Sequence, residues 1–363
     1  MKTHLRDRAL RKFRTHLLGW FRAHQRDLPW RGSRDPYRIW VAEIMLQQTR
    51  IAAVMPYYDR FLRHFPTVES LAAAPQKEVL KLWSGLGYYS RARNLHLAAR
   101  QIVAEHAGEF PRTIDAALAL PGIGAYTAAA VLSIAYDAPF AVLDGNVARV
   151  LARIYAIRGD LRAPRTWREL TETANHLLAR KSASDWNQAL MELGEVICTP
   201  KSPRCLVCPV VHSCQAYAQG VTNEIPAPRR KRAPESVTIA AAILLDPQGR
   251  TLLVKDPGAH DQVLFSRMWQ FPAIQVTRNA KSELKEYFAE FFDIPKLEME
   301  ALPSARHGVT FRNITLLPFL ARVAKLPKIR RARMILLKNL NDIAISSATR
   351  KLAAAALQGE SRE

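Results

Sequence analysis

The stretch NEIPAPRRKRAPES, residues 223–236, divides the chain into two kinds of sequence. Its three prolines cannot continue a helix or a central strand, and its basic run Arg229 to Arg232 favours solvent, so it reads as an exposed linker. Its charges serve either solubility or the tracking of phosphates. Before it, the chain is rich in Ala, Leu and Arg, and β-branched alternation is scarce. Apolar residues recur at helical spacing through 37–47, 50–64, 76–84, 91–104, 113–119, 125–136, 146–156, 167–180 and 185–196. After it, SVTIAAAILLD, PQG and RTLLVKD read as strand, turn and strand, SELKEYFAEFF as a short helix, and GVTFRNITLLPFLARV as one or two further strands. The expectation is a multi-domain protein: an all-α domain over 1–225, a linker over 226–234 and a smaller α+β domain over 235–355. A length of 363 residues suits two domains with separate cores.

The formal net charge of +21 is costly in self-repulsion and implies a polyanionic partner, nucleic acid first. An anionic membrane surface is the alternative, but no segment has the apolar length of a span. The N-terminus is basic without an apolar signal core, and Leu10, Phe13, Leu17, Leu18 and Phe21 recur at helical spacing. A folded first helix is therefore expected in a protein without a secretion signal, cytoplasmic and nucleoid-associated in a bacterium or nuclear in a eukaryote.

All four cysteines, Cys198, Cys205, Cys208 and Cys214, fall within seventeen residues. A disulfide framework spreads through a chain, whereas a tight intracellular cluster reads as a metal site. Structural zinc usually takes two Cys-x-x-Cys knuckles, and only one such pair is present, so one loop wrapping an iron–sulfur cubane fits better, with zinc the alternative. The spacing resembles that of the endonuclease III superfamily of DNA glycosylases, which implies one [4Fe–4S] cluster on a loop over 198–214. Lys201 and Arg204 flank it and could present charge to phosphate.

LPGIGAYTAAAVLSIAY begins at Leu120; Pro121, Gly122 and Gly124 suit a tight turn whose following helix offers free N–H groups to a phosphate. Alone it could be an ordinary helix connection. Asp144 follows in VLDGNVARV, where its common use would be a helix N-cap. Together these resemble the helix-hairpin-helix (113–136), Gly/Pro loop and aspartate of the same superfamily. The resemblance implies that Asp144 faces the sugar of a flipped nucleotide and stabilises an oxocarbenium-like centre or attacks it covalently, with Asn146 in support. Members that cleave the strand carry a lysine where Tyr126 stands; tyrosine cannot form a Schiff base, so a monofunctional enzyme is expected.

In RIWVAEIMLQQTR the single carboxylate, Glu43, lies among Ile39, Trp40 and Leu46 at helical spacing. Desolvation there would raise its pKa and suit it to general-acid work, although most helical glutamates simply face solvent. LPWRGSRDPYRIWVAEIMLQQTRIAAVMPYY and LWSGLGYYSRARNLH resemble the adenine DNA glycosylases of the MutY type, and the likeness covers residues 10–220. That family implies base flipping, protonation of adenine by Glu43, and double-stranded DNA with A:8-oxoguanine or A:G mispairs as partner of a monomer. It places Leu46, Gln48 and Tyr88 against the opened duplex, and Arg26, Leu28, Trp30, Arg31 and Gln188 around adenine. The alternatives are a thymine or uracil mismatch glycosylase of the superfamily, or a non-catalytic helix-hairpin-helix DNA-binding protein. The latter would not need two carboxylates.

SRMWQFPAI resembles a segment of the family's Nudix-like C-terminal domain. The glycine-anchored, glutamate-rich box of Nudix hydrolases is missing, so the implied role is lesion recognition. HGVTF, residues 307–311, is similar to the family's lesion-reading loop, with Thr310 at its hydroxyl position; Val309 and Phe311 depart from the pattern. An ordinary strand turn is the other reading of this stretch.

Overall fold

The computed structural model describes residues 7–227, 233–255, 268–309, 311–329, 332–343 and 345–360. They form two compact units, the described parts of Met1–Ala74 with Ser90–Arg230, and of Pro75–Tyr89 with Lys231–Glu363. The segment Pro75–Tyr89, expected as part of the helical domain, therefore belongs to the second unit.

The helices run α1 (Asp7–His24), α2 (Pro36–Leu46), α3 (Ile51–His64), α4 (Val68–Ala73), α5 (Gln76–Leu82), α6 (Tyr89–Glu105), α7 (Ile114–Leu118), α8 (Ala125–Tyr136), α9 (Gly145–Ile154), α10 (Pro164–Leu177), α11 (Ala183–Val196) and α12 (Gln215–Ala218). In the first unit α2 lies against α8, and α1, α8 and α9 pack on α11. Helix α2 starts because Asp35 caps it by accepting from Tyr37 N and Pro36 supplies a preset φ at its first turn. Everything from Ile39 to Met45 is buried, as befits a central helix that is apolar all round. Its C-terminal end is held by Arg91, whose guanidinium donates to the carbonyls of Ile44 at 3.0 Å, Met45 at 2.8 Å and Gln47. A buried cation suits these orphan carbonyls. The chain then turns through Gln48, at φ +58°.

Between α7 and α8 the backbone takes a positive φ of +78° at Gly122, and a Cβ there would lie 2.6 Å from that of Asn94. Both the conformation and the close approach require glycine. Gly124 sits at the N-cap of α8.

The second unit is built on a mixed sheet of β1 (Glu235–Leu245), β2 (Arg250–Val254), β3 (Ala273–Gln275), β4 (Glu300–Ala301), β5 (Ala305–Val309), β6 (Arg312–Arg322) and β7 (Ala332–Leu336). The order is β4-β6-β1-β2-β7, with β3 on β1 and β5 on β6. β1 and β6 pair in parallel, Val237 opposite Ile314 and Ile243 opposite Leu320. The near-continuous apolar run of β1 follows from burial on both faces. Val237, Ile239, Ala241, Ile243 and Leu245 meet α14 (Ser347–Glu360) through Leu352, Ala353 and Ala356. Ala240, Ala242 and Leu244 meet α13 (Ala280–Phe292) through Leu284, Phe288 and Phe292. This is the smaller α+β domain expected from the sequence, with α14 an element the apolar pattern did not reveal. No helix among the described residues is long and apolar enough to cross a membrane.

Candidate active site

A cavity of about 620 Å³ opens in the first unit, large enough for a nucleoside. Its lining brings together Glu43 and Leu46 from α2, Gln48 just beyond it, Tyr126 from α8, and Asp144 and Asn146 at the start of α9. Arg26, Leu28, Trp30 and Arg31 line it from the α1–α2 connection, and Gln188 from α11.

Glu43 is 4% exposed, and its Oε2 accepts a 2.8 Å hydrogen bond from the Tyr126 hydroxyl. Burial pushes its carboxyl up to about 7; the Tyr126 bond opposes this, and the charge of Asp144 adds to it. Burial and the charge of Glu43 also raise the Tyr126 phenol, so tyrosine remains the donor of that bond. Asp144 is the N-cap of α9, Oδ1 accepting from Val147 N at 2.7 Å. Burial raises its carboxyl, while N–H bonds from Val147 and Asn146 and the Arg149 charge favour the anion. The capping role and a place in the cavity thus coexist in one residue. Two carboxyls share a cavity in different settings: one kept near neutrality by apolar walls, the other held by helix N–H groups.

Arg26 and Arg31 were expected to read a base with their donors. Both line the cavity, but their guanidinium groups turn to Glu192, which is 1% exposed. Arg26 donates to its two oxygens at 2.6 and 2.8 Å and to Glu195 at 2.5 Å, while Arg31 donates to Glu192 at 2.8 Å. Burial alone would raise the Glu192 carboxyl, but the bonds from Arg26 and Arg31 outweigh it and hold it below its usual range. Leu28 and Trp30 are buried, the Trp30 ring packing edge-on to Tyr58 at 5.2 Å. Gln188 reaches Ser184 Oγ at 3.3 Å. Glu192 and Glu195 were not anticipated. Their signal was the spacing of Gln188, Met191, Glu192 and Glu195, which share one face of α11 and all line the cavity.

Glu192→Ala would leave Arg31 partly buried without its carboxylate. The expected loss is about 3 kcal/mol, read from urea unfolding at pH 7. Because the folded-state pKa of Glu192 is depressed, its contribution is present at neutral pH and lost as pH falls through that value. Wild type and variant should therefore converge in acid.

Other expected site residues lie elsewhere. Gly122 and Gly124 shape the hairpin and do not line the cavity. Tyr88 belongs to the second unit, 45% exposed with φ +47°. His307, Gly308 and Val309 are the last three residues of β5, with Val309 opposite Arg312 of β6 across the antiparallel ladder; Thr310 lies outside the described residues.

Cys198, Cys205, Cys208 and Cys214 line one small cavity of their own, and none is in a disulfide. Two buried arginines of α9 pin the loop. Arg153 donates to Cys198 Sγ at 3.3 Å, Thr199 O at 2.7 Å and Ile225 O at 2.8 Å. Arg149 donates to Cys198 O at 2.9 Å and Asn146 Oδ1 at 2.9 Å. Burial raises the thiols of Cys205 and Cys214 and pushes that of Cys208 up to about 12, so holding them as thiolates calls for positive charge in their midst. Among the described residues no group of three or more His, Cys, Asp or Glu is arranged to hold a metal ion.

Residues 41–176 match the model of the HhH-GPD superfamily base excision DNA repair proteins. The adenine DNA glycosylase of Mus musculus is 44% identical over 224 residues, covering 59% of this chain and 44% of that protein. The adenine DNA glycosylase of Buchnera aphidicola subsp. Acyrthosiphon pisum is 33% identical over 272 residues, covering 74% of this chain and 76% of that protein. A thermostable thymine-DNA glycosylase superposes with a TM-score of 0.54 at 31% identity, covering 59% of this chain and 98% of its own. The chain spans about half the length of several curated relatives it matches.

Proposed function

Because the chain belongs to the HhH-GPD superfamily of base excision DNA repair proteins, and within it to the adenine DNA glycosylases, we propose that it hydrolyses the N-glycosidic bond of adenine. The substrate is adenine mispaired with 8-oxoguanine or guanine in duplex DNA. The observation that carries this reading is Glu43: a buried acid poised near neutral pH, bonded to Tyr126, in one cavity with Asp144.

Adenine leaves poorly as an anion. A flipped adenine in the cavity takes the proton of Glu43 on a ring nitrogen. The glycosidic electron pair then departs with a neutral base, leaving positive charge at C1′. Asp144, an anion beside that carbon, stabilises it, and Asn146 and the α9 N–H groups keep the carboxylate aimed. Water adds to C1′ and returns a proton to Glu43. Tyr126 has no amine to trap the sugar as a Schiff base, so the product is an intact strand with an abasic site. Leu46 and Gln48 stand at the cavity wall where a wedge would hold the duplex open, and the positive chain supplies phosphate affinity.

Cys198, Cys205, Cys208 and Cys214 would hold one [4Fe–4S] cluster, which supplies positive charge and cross-linking to the loop and takes no part in the steps above. Cys208→Ser should abolish visible absorption near the sulfur-to-iron region and lower the thermal midpoint of the first unit. A colourless wild-type protein containing zinc after anaerobic reconstitution would reject the assignment.

Thymine or uracil removal is the second reading, kept open by the likeness to a thymine-DNA glycosylase. Those bases leave as stabilised anions and need no buried acid, so Glu43 favours adenine. Base release from duplexes carrying A:8-oxoguanine, A:G, T:G or U:G decides the matter. Adenine release alone is expected; release of thymine or uracil without adenine would overturn the proposal. Prompt strand scission without added base would contradict the role given to Tyr126.

A further inference from the structure

The loop that carries Tyr88 is conformationally costly. Gly85, Gly87 and Tyr88 take φ of +105°, +77° and +47°. A tyrosine in the left-handed region persists only where its surroundings over-determine it. Those surroundings come from far along the chain, within the second unit. The Tyr89 hydroxyl accepts from Gly85 N at 3.3 Å and donates to the carbonyl of Ile345 at 2.8 Å. The Ser84 hydroxyl donates to the same carbonyl at 3.3 Å and accepts from the Arg350 guanidinium at 2.6 Å. Trp83 Nε1 closes the loop onto Gly87 O at 3.0 Å. The receiving end is itself fixed: Ile345 is fully buried and bridges to Trp269, and Arg350 stands in the first turn of α14 with its N–H on Ser346 O.

We propose that the Ile345 carbonyl and the Arg350 side chain are positioning elements that clamp Ser84–Tyr89 and so present Tyr88 to the mispaired duplex. The second unit then acts on mispair engagement through this loop, independently of any base contact it makes itself. Ser84 and Tyr89 are the loop's half of the clamp. One carbonyl and one guanidinium fix both ends of the strained turn, leaving the Tyr88 ring exposed between them. This rests on reading Tyr88 as a duplex contact.

The test uses the full chain and duplexes that place 8-oxoguanine opposite a 2′-fluorinated adenine nucleotide, which resists base loss, with a fully matched duplex as reference. Arg350→Ala and Tyr88→Ala should each weaken the preference for the lesion duplex by about tenfold, and the double variant should be no weaker than Tyr88→Ala alone. Arg350→Lys, which can still donate to Ser84, should recover most of the loss. Tyr89→Phe removes a single hydroxyl and should weaken the same preference with the unfolding midpoint unchanged. Amide exchange at 84–89 should quicken in both Arg350→Ala and Tyr89→Phe. Additive losses in the double variant, or wild-type binding by Arg350→Ala and Tyr89→Phe, would overturn the clamp. Wild-type binding by Tyr88→Ala would overturn the duplex-contact reading beneath it, and the clamp's purpose with it. Adenine release is scored separately, so a failure of the proposed reaction leaves these binding results interpretable.

Discussion

Glu43→Gln is expected to lower single-turnover adenine release by about a thousandfold, because the amide keeps the shape and the Tyr126 contact but has no proton to give. In the wild type the rate should fall above pH 7, where the carboxyl pushed up to about 7 loses its proton. The same group makes a stability prediction. Its folded-state pKa lies above the ordinary 4.5, so the folded chain binds more protons between those values and loses stability as pH rises from 4.5 to 7. The ionised, desolvated carboxylate then costs about 3 kcal/mol, which glutamine does not incur. Glu43→Gln should therefore be more stable than wild type at pH 8 and nearly equal to it at pH 4.5. Thermal melts at both values, with release assays across pH 5–9, check the pair. A variant that is inactive but no more stable at pH 8 would mean that Glu43 is not desolvated. Full activity in the glutamine variant would remove it from the mechanism.

Asp144→Asn should cost about a hundredfold to a thousandfold in release, the range for losing one preorganised electrostatic stabiliser of a developing charge. The substitution is informative because the local structure should survive. Asparagine caps a helix as well as aspartate, so its side-chain oxygen can still accept from Val147 N. The thermal midpoint should stay near the wild-type value while the rate collapses. Asp144→Ala, which also loses the cap, should add a stability loss of about 1 kcal/mol. If Asn and Ala are equally active and differ only in stability, Asp144 is a cap and nothing more.

The balance between acid and anion belongs to the cavity and not to either side chain alone. Both carboxyls are raised by burial, but Asp144 accepts helix N–H bonds whereas Glu43 accepts one phenol. Glu195, also on the wall, raises both and shares Arg26 with Glu192. Removing Glu195 would lower both carboxyls and so shift the pH at which Glu43 loses its proton.

Local rules already marked several features. The helices followed from periodicity, and Asp35–Pro36 marks the start of α2 as clearly in the chain as in the fold. A carboxylate inside an apolar helix is a violation that stands out in one dimension, so Glu43 was legible. Four cysteines in one short stretch were legible for the same reason: their spacing is local. The switch from helical to strand-like patterning across the prolines separated the helices before it from the stretch that forms the mixed sheet. HGVTF gave less, since a hairpin turn and a recognition loop look alike along one strand.

What stayed hidden depends on partners far apart in the chain. Glu192 meets Arg26 across 166 residues, and no periodicity shows that a glutamate on α11 would claim the donors expected to face a base. Ser84 and Tyr89 meet Ile345 and Arg350 across more than 250 residues, which draws Pro75–Tyr89 out of the helical unit. By itself, then, the sequence determined most of the helices, the strand-rich character of the C-terminal stretch, the clustering of the four cysteines and the anomaly of Glu43, because propensity, capping and residue spacing act within a few residues. Only the tertiary structure decided that Glu43, Tyr126 and Asp144 share one cavity, which arginines are already engaged and which unit owns the Tyr88 loop. Each of these is a pairing of buried polar groups, and such pairings form only when packing brings distant segments together and excludes the water that would otherwise satisfy them.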